Sequence, residues 1–264
     1  MKKICVLNYK GGVAKTISTI NIGSSLQEKG YKVLLVDLDS QGNTSKLMNN
    51  KRIRKGNKYE NIDCYSLDSM MLADILKGDE AIKDCIKNTA YEGLDVITND
   101  FRINNIDEVL KKGDNRFLLK EVLSEVENDY DYAIFDLPPS LDNGVTLNGL
   151  IASDWVITPF KIDQMSIDGL GSILNKIDEI NEELDLNIEF KACFVTMDNR
   201  TRVNRQVKEF LKEELGEKFC KTTISSSSKV VESTFEQKPV IFYSRKSAPG
   251  IQYRNLTEEI INMK

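Results

Sequence analysis

A three-layer, doubly wound α/β fold, with a mostly parallel sheet flanked by helices, is what this sequence predicts. Three observations carry the prediction. Short apolar runs alternate with stretches of helical periodicity along the whole chain, the pattern of repeated β-α units. Several runs are continuously apolar, as strands buried on both faces are. Two runs end in aspartates and another leads into a glycine-rich turn, so polar groups collect at the carboxyl ends of strands, where such folds bind ligands.

The elements follow in order. Strands are expected at Lys3–Leu7, Val33–Asp37, Leu94–Thr98, Tyr132–Asp136, Trp155–Pro159, Phe190–Thr196, Cys220–Ile224 and Val240–Tyr243. A helix begins near Lys15 and ends at Lys29, with Gly30 as the residue that closes it. The polar stretch Asn49–Asn61 reads as a solvated loop. Ile167, Leu170, Ile173, Leu174, Ile177, Ile180 and Leu184 recur at three- and four-residue spacings, which gives a long amphipathic helix. Its apolar stripe serves either the core or a contact between two copies. Val203, Val207, Phe210 and Leu211 form the apolar side of a further helix.

The chain has 264 residues, and one domain over 1–264 is the natural expectation. Hydrophobic content of 41% and charged content of 29% describe a soluble globular protein. No apolar run approaches the roughly 20 residues needed to cross a bilayer. Met1-Lys2-Lys3 runs directly into the first strand, so a cytoplasmic location is expected. Five cysteines, Cys5, Cys64, Cys85, Cys193 and Cys220, are scattered without a C-x-x-C pair, and three sit in apolar runs as small hydrophobes. There is no histidine, which excludes His-based zinc sites and Ser-His-Asp triads. Catalysis must then come from carboxylates, lysines, metal and backbone, a set suited to phosphoryl transfer. The net charge is −5, yet Arg200 to Arg254 holds twelve Lys or Arg against six Glu, so a basic region sits within an acidic protein.

The most informative segment is Asn8-Tyr9-Lys10-Gly11-Gly12-Val13-Ala14-Lys15-Thr16. A strand, a glycine-rich turn and a helix N-terminus together cradle phosphates. Tyr9 and Ala14 stand where the ordinary G-x-x-x-x-G-K-[ST] pattern has glycines; K-G-G-x-x-K-[ST] fits instead, with a second lysine at Lys10. Gly11 and Gly12 let backbone N–H groups approach phosphate oxygens. Lys15 is expected on the β- and γ-phosphates and the Thr16 hydroxyl on Mg²⁺. The loop Lys10, Gly11, Gly12, Val13, Ala14, Lys15, Thr16 and Ile17 is thus the expected nucleotide site. Asp37 and Asp39 end one strand and Asp136 another, so the three carboxylates are expected to gather around a Mg²⁺-nucleotide. Aspartates that merely cap strand ends explain one of the three comfortably.

With these motifs in place the chain resembles the ParA-type partition ATPases, Soj-like members of the ParA/MinD group with a deviant Walker A P-loop. The resemblance rests on K-G-G-V-A-K-T at 10–16, D-L-D-S-Q-G-N at 37–43, F-D-L-P-P-S at 135–140, A-S-D at 152–154 with Pro159, T-M-D-N-R-T at 196–201 and K-P-V-I-F-Y at 238–243. Ala14 replaces the glycine usual in the family, and the segment from Lys51 to Asp68 is longer and more polar than usual.

The resemblance implies ATP and Mg²⁺ as ligands, and a homodimer that sandwiches two ATPs. Lys10 crosses to the partner's nucleotide, by the logic of an arginine finger. Asp39 matches the carboxylate that orients or activates the attacking water, so Lys10, Lys15 and Asp39 are the implied catalytic set. Thr16, Asp37 and Asp136 form the metal shell, directly or through water. It also implies DNA segregation: ATP-dependent, non-specific binding of double-stranded DNA, nucleoid association, and weak hydrolysis stimulated by DNA and a ParB-like centromere-binding protein. Arg200 matches a family position for DNA contact, and Arg202, Arg205, Lys208 and Lys212 continue its basic character along a helix that reads either as a DNA surface or as a plain solvated face. A second family site keeps only Lys229 here, after Ser225–Ser228, with Lys246 as a further candidate. Apart from the resemblance, the charges of Lys51, Arg52, Arg54, Lys55 and Lys58 leave DNA contact open as an alternative to the plain solvated loop. Two alternatives share the fold. A MinD-like membrane-associated ATPase anchors through a basic amphipathic C-terminal helix. This chain ends Thr257-Glu258-Glu259-Ile260-Ile261-Asn262-Met263-Lys264, which argues for no membrane partner. An iron–sulfur reductase needs bridging cysteines, and the surroundings of Cys85 and Cys193 do not match.

Overall fold

The computed structural model describes residues 1–48, 52–55, 58–61, 70–199 and 201–263, by backbone alone at 52–55, 58–61 and 164–168. Strand β1 (Lys2–Val6) leads to helix α1 (Lys15–Glu28), and β2 (Val33–Asp37) to α2 (Asn43–Met48). Next come β3 (Arg52–Lys55), β4 (Lys58–Asn61), α3 (Leu72–Lys77), α4 (Ile82–Cys85), β5 (Ile86–Asn88), β6 (Leu94–Ile97), α5 (Asp107–Leu110) and α6 (Leu118–Ser124). The second half runs β7 (Tyr132–Asp136), α7 (Gly144–Ala152), β8 (Trp155–Lys161), α8 (Gln164–Leu184), β9 (Glu189–Thr196), α9 (Arg202–Leu215), α10 (Ser228–Phe235), α11 (Val240–Tyr243) and α12 (Ala248–Asn262).

The main sheet has the order β5-β6-β2-β7-β1-β8-β9 and is parallel except for the edge strand β5. Its inner strands are buried on both faces, which is why they read as unbroken apolar runs. One face packs on Leu119, Leu123, Leu150, Leu170, Ile173 and Ile177; the other packs on Ile20, Leu26, Tyr253, Leu256 and Ile260. Two apolar layers around one sheet are the expected doubly wound arrangement. The stripe of α8 at Leu170, Ile173, Ile177 and Ile180 is core. The side chain of Ile167 lies outside the described residues. The first helix closes as its sequence implies: Lys29 is its C-cap and Gly30 has φ 93°. Register brings the chemistry together, because the β2–β7 ladder places Asp37 opposite Asp136 and the β1–β7 ladder places Val6 opposite Asp136.

Three expectations fail. Val240–Tyr243 is helix α11, not a strand: the N–H groups of Phe242 and Tyr243 turn back to the Pro239 carbonyl. A four-residue apolar run suits either state. Cys220–Ile224 runs beside β9, donating from Cys220 N–H to the Cys193 carbonyl and from Ile224 N–H to the Val195 carbonyl. It is no strand because the intervening Lys221 and Thr222 N–H groups donate to the Glu259 carboxylate instead. The stretch 49–61 is not a plain loop, since β3 and β4 pair antiparallel within it. Lys51 lies outside the described residues, as do the side chains of Arg52, Arg54, Lys55 and Lys58.

Candidate functional site

The site forms where β1, β2, β7 and β8 end. Beyond β1 the loop turns through Gly12 at φ 74° and enters α1 at Ala14, whose φ of 66° and ψ of 33° are left-handed. That region favours glycine and costs alanine about 1–2 kcal/mol. A Cβ placed on Gly11 or Gly12 would meet no protein atom within 4 Å, so the space over the loop is open. Val13 is buried, and its carbonyl accepts from the Thr196 hydroxyl at 3.1 Å, tying the loop to the end of β9. Ile17 packs into the core on the α1 side of the sheet.

The two lysines occupy different places. Lys15 is buried, 8% exposed, and its ammonium donates to the Lys10 carbonyl at 3.1 Å. Burial lowers its pKa, while the charges of Asp136 and Asp39 pull it back up. Lys10 points the other way, with its Nζ 2.5 Å from Asp163 Oδ2, just ahead of α8. Tyr9, just before them, lies against α8: a Cβ on Gly169 would fall 1.5 Å from its ring, so glycine at 169 makes room for it.

The three carboxylates converge but are not equivalent. Asp37 is fully buried, and both of its oxygens are engaged. Oδ1 accepts from Asp39 N–H at 3.1 Å; Oδ2 accepts from Ser45 N–H at 2.7 Å and the Ser45 hydroxyl at 2.6 Å. Asp136 accepts the Thr44 hydroxyl at 2.8 Å on Oδ2, the nearby Thr16 hydroxyl favours its ionised form, and its buried Oδ1 has no hydrogen-bond partner among the described residues. Burial pushes the Asp136 pKa up to about 6, against the hydrogen bonds from Thr16 and Thr44, and Asp39 adds repulsion. Burial and then Asp136 also raise Asp37. Asp39 is 9% exposed, with Oδ1 accepting from Gln41 N–H at 2.9 Å.

This donor set fits a hard cation. Asp136 Oδ1 is buried without a hydrogen-bond partner among the described residues, and the Thr16 hydroxyl and the Lys15 charge both act to favour its ionised form. Among the described residues no three His, Cys, Asp or Glu form a ready-made metal cage. A Mg²⁺ here would therefore draw most of its ligands from phosphates and water, as this ion commonly does. Four participants escaped the sequence reading: Asn8, Thr44, Ser45 and Asp163. Thr44 and Ser45 carried a usable signal, being hydroxyl residues at a helix start after two aspartates.

The basic residues lie on α9, on α10 and ahead of α12. Arg202, Arg205 and Lys212 are exposed on α9, and Lys246 is exposed before α12. Lys208 pairs with the buried Asp198 at 2.7 Å. Lys229 is exposed and pairs with Glu232 at 2.7 Å. Arg200 lies outside the described residues. On α9 only Leu211 of the expected apolar side is buried, with Val207 partly so, while Val203 and Phe210 are 61% and 45% exposed.

The family described as an AAA domain matches residues 1–191. The sporulation initiation inhibitor protein Soj of Bacillus subtilis is 33% identical over 261 residues, covering 98% of each chain. Among solved structures, a plasmid partition protein of Borrelia burgdorferi bound to AMPPNP superposes with a TM-score of 0.78 at 25% identity, covering 99% of this chain and 97% of that one. Cobyrinic acid a,c-diamide synthase of Mycobacterium smegmatis, with an ATP analogue and magnesium, gives 0.79 at 26% identity, over 98% and 93%.

Proposed function

We propose that this chain, which belongs to the family of ParA-type partition ATPases, binds ATP with Mg²⁺, pairs with a second copy around two nucleotides, and uses hydrolysis to time its hold on DNA. The observation that carries the reading is the division of labour between two lysines in one phosphate loop. Lys15 lies within the loop beside Asp136, and Lys10 leaves it towards Asp163.

In this reading the N–H groups around Gly11, Gly12 and Val13 take the phosphate oxygens, and Lys15 exchanges the Lys10 carbonyl for the β- and γ-phosphates. Thr16 and Asp136 Oδ1 hold the metal, which when bound neutralises charge across the phosphates. Asp37, with both oxygens occupied, fixes α2 and the Asp39 loop and would support a bound metal indirectly. Asp39 orients the water that attacks the γ-phosphorus as the bond to the β,γ-bridging oxygen breaks and ADP leaves. Lys10 stabilises that charge on the partner's nucleotide.

DNA contact falls to Arg202 and Arg205 on α9 and to Arg200, with Lys229 and Lys246 beyond them. A ParB-like centromere-binding protein, together with DNA, accelerates an otherwise slow turnover, and the ATP-bound form is nucleoid-associated. The membrane alternative is disfavoured by α12, whose apolar residues Tyr253, Leu256 and Ile260 are buried against the sheet instead of being left to anchor. No helix among the described residues is long and apolar enough to cross a membrane.

The test is paired substitution. Lys15→Ala is expected to abolish ATP binding. Lys10→Ala is expected to keep ATP affinity but lose ATP-dependent doubling of mass by light scattering and lose hydrolysis. Normal dimerisation and turnover in Lys10→Ala would sink the two-lysine reading.

A further inference from the structure

We propose that Asn8 is a positioning residue for Lys10, splinting the phosphate loop to the end of β8 so that Lys10 is presented at a fixed angle. The proposal rests on the reading above, that Lys10 acts across a dimer. It starts from where the β1–β8 ladder stops. The last backbone bond between the two strands runs from Leu7 N–H to the Ile157 carbonyl at 3.1 Å. In a parallel ladder the next bond would run from the N–H of residue 159 to the Leu7 carbonyl, which Pro159 cannot supply, and the one after it from Tyr9 N–H to the Pro159 carbonyl. The Asn8 side chain stands in for it: its Nδ2 donates to the Pro159 carbonyl at 2.9 Å. The backbone is thereby free to leave the sheet at Tyr9 without stranding a buried carbonyl, whose unmet bond costs about 1–3 kcal/mol.

The other end of the same amide closes a turn. Asn8 Oδ1 accepts from Lys10 N–H at 2.9 Å, the local bond by which asparagine shapes a turn two residues on. Asn8 is 2% exposed, and both amide ends are used. Lys10 is therefore held at three points: its N–H by Asn8, its carbonyl by the Lys15 ammonium, and its own ammonium by Asp163. Asn8 and Asp163 both lead to one segment, since Pro159 lies in β8 and Asp163 follows its end at Lys161. A shift of that segment moves the backbone of Lys10 through Asn8 as well as releasing its side chain. A turn-forming residue alone would need only the acceptor; the donor to Pro159 is what couples the loop to β8.

The variants separate the two bonds. Asn8→Asp keeps the acceptor for Lys10 N–H and turns the donor facing Pro159 into a second acceptor. Asn8→Ser keeps a shorter hydroxyl acceptor and cannot reach Pro159. Each is measured for melting temperature, ATP affinity, ATP-dependent dimerisation and steady-state hydrolysis, alone and combined with Lys10→Ala. The expected result is a fall in kcat and in dimer affinity of at least about tenfold in both variants, with ATP affinity within about threefold of wild type. Adding Asn8→Asp to Lys10→Ala should cost nothing further, because the two act as one unit. Wild-type kcat and dimerisation in the Asn8 variants would overturn the proposal. So would losses that track melting temperature and ATP affinity, or that add in full to those of Lys10→Ala, since these mark a merely structural role. If Lys10→Ala itself dimerises and turns over normally, the fault lies in the two-lysine reading and the Asn8 proposal falls with it.

Discussion

Replacing Asp136 with asparagine should make the nucleotide-free protein more stable while destroying its metal site. Asp136 is buried, and its pKa stands at about 6 against 3.8 for an ordinary aspartate. The folded protein therefore holds this proton more tightly than the unfolded chain does. The stabilisation from the bound proton is complete below pH 3.8 and is lost as pH rises through 6. At pH 8 the ionised carboxylate thus costs the fold about 3 kcal/mol, taking 1.36 kcal/mol for each pH unit between the two values. Asp136→Asn keeps the shape and an acceptor for Thr44 and removes the charge, which also relieves Asp37 across the β2–β7 register. Burying the amide N–H₂ takes back part of the gain, so a net rise of roughly 1–2 kcal/mol is expected. For a chain of this size that is about 2–8 °C in Tm. Thermal unfolding without nucleotide, at pH 8 and pH 5, is the assay. The advantage should be clear at pH 8 and shrink at pH 5, where wild-type Asp136 is itself largely protonated. No stabilisation at pH 8, or an equal gain at both pH values, would refute the reasoning. Mg²⁺-dependent turnover should be lost in the variant throughout.

Two further outcomes follow from the geometry. Ala14→Gly relieves a left-handed alanine worth about 1–2 kcal/mol, less about 0.4–1 kcal/mol for the freer unfolded chain, so the urea midpoint should rise by the equivalent of roughly 0.5–1 kcal/mol with an unchanged slope; a lower midpoint would show that residue 14 is not strained. Arg202→Ala with Arg205→Ala should weaken DNA binding alike on all sequences and flatten the dependence of log affinity on log salt by about 0.9 per lost phosphate contact; an unchanged slope would remove α9 from the DNA surface.

Most of the sheet was legible because its strands are central. Val33–Asp37 and Tyr132–Asp136 are buried on both faces, and that demand leaves an unbroken apolar run ending at a functional carboxylate. The failures came where the deciding partner is distant in sequence. Nothing near Lys221 or Thr222 announces that their N–H groups belong to Glu259. Val240–Tyr243 is apolar in either state, and packing beside α1 and α12 settles it as helix. The edge strand β5 is three residues, Ile86-Lys87-Asn88, too short and polar to carry a period. At the site, motif spacing pointed to all three aspartates, but it carried no sign that Asp37 is consumed by Ser45 while Asp136 keeps an oxygen open. Likewise Lys208 continued a basic stripe in sequence, with no sign there of its ion pair to Asp198.

The nucleotide-free site is held by contacts of unequal strength, and that inequality bears on how it fills. The pair between Lys10 and Asp163 is partly exposed, with side chains 25% and 33% accessible. Pairs of this exposure contribute about 1 kcal/mol or less, so a polyphosphate can readily outbid Asp163 for the lysine. Lys15 rests on a neutral carbonyl, a weaker partner than any phosphate oxygen. Both lysines are therefore stored on contacts that an anion displaces. Asp37 is in the opposite position: removing it from two hydrogen bonds to Ser45 and one to Asp39 N–H would leave a buried charge unmet, which costs several kcal/mol. The mobile parts of the site are then its two cations and the open oxygen of Asp136, while Asp37, α2 and the Asn8 splint form the frame against which they move.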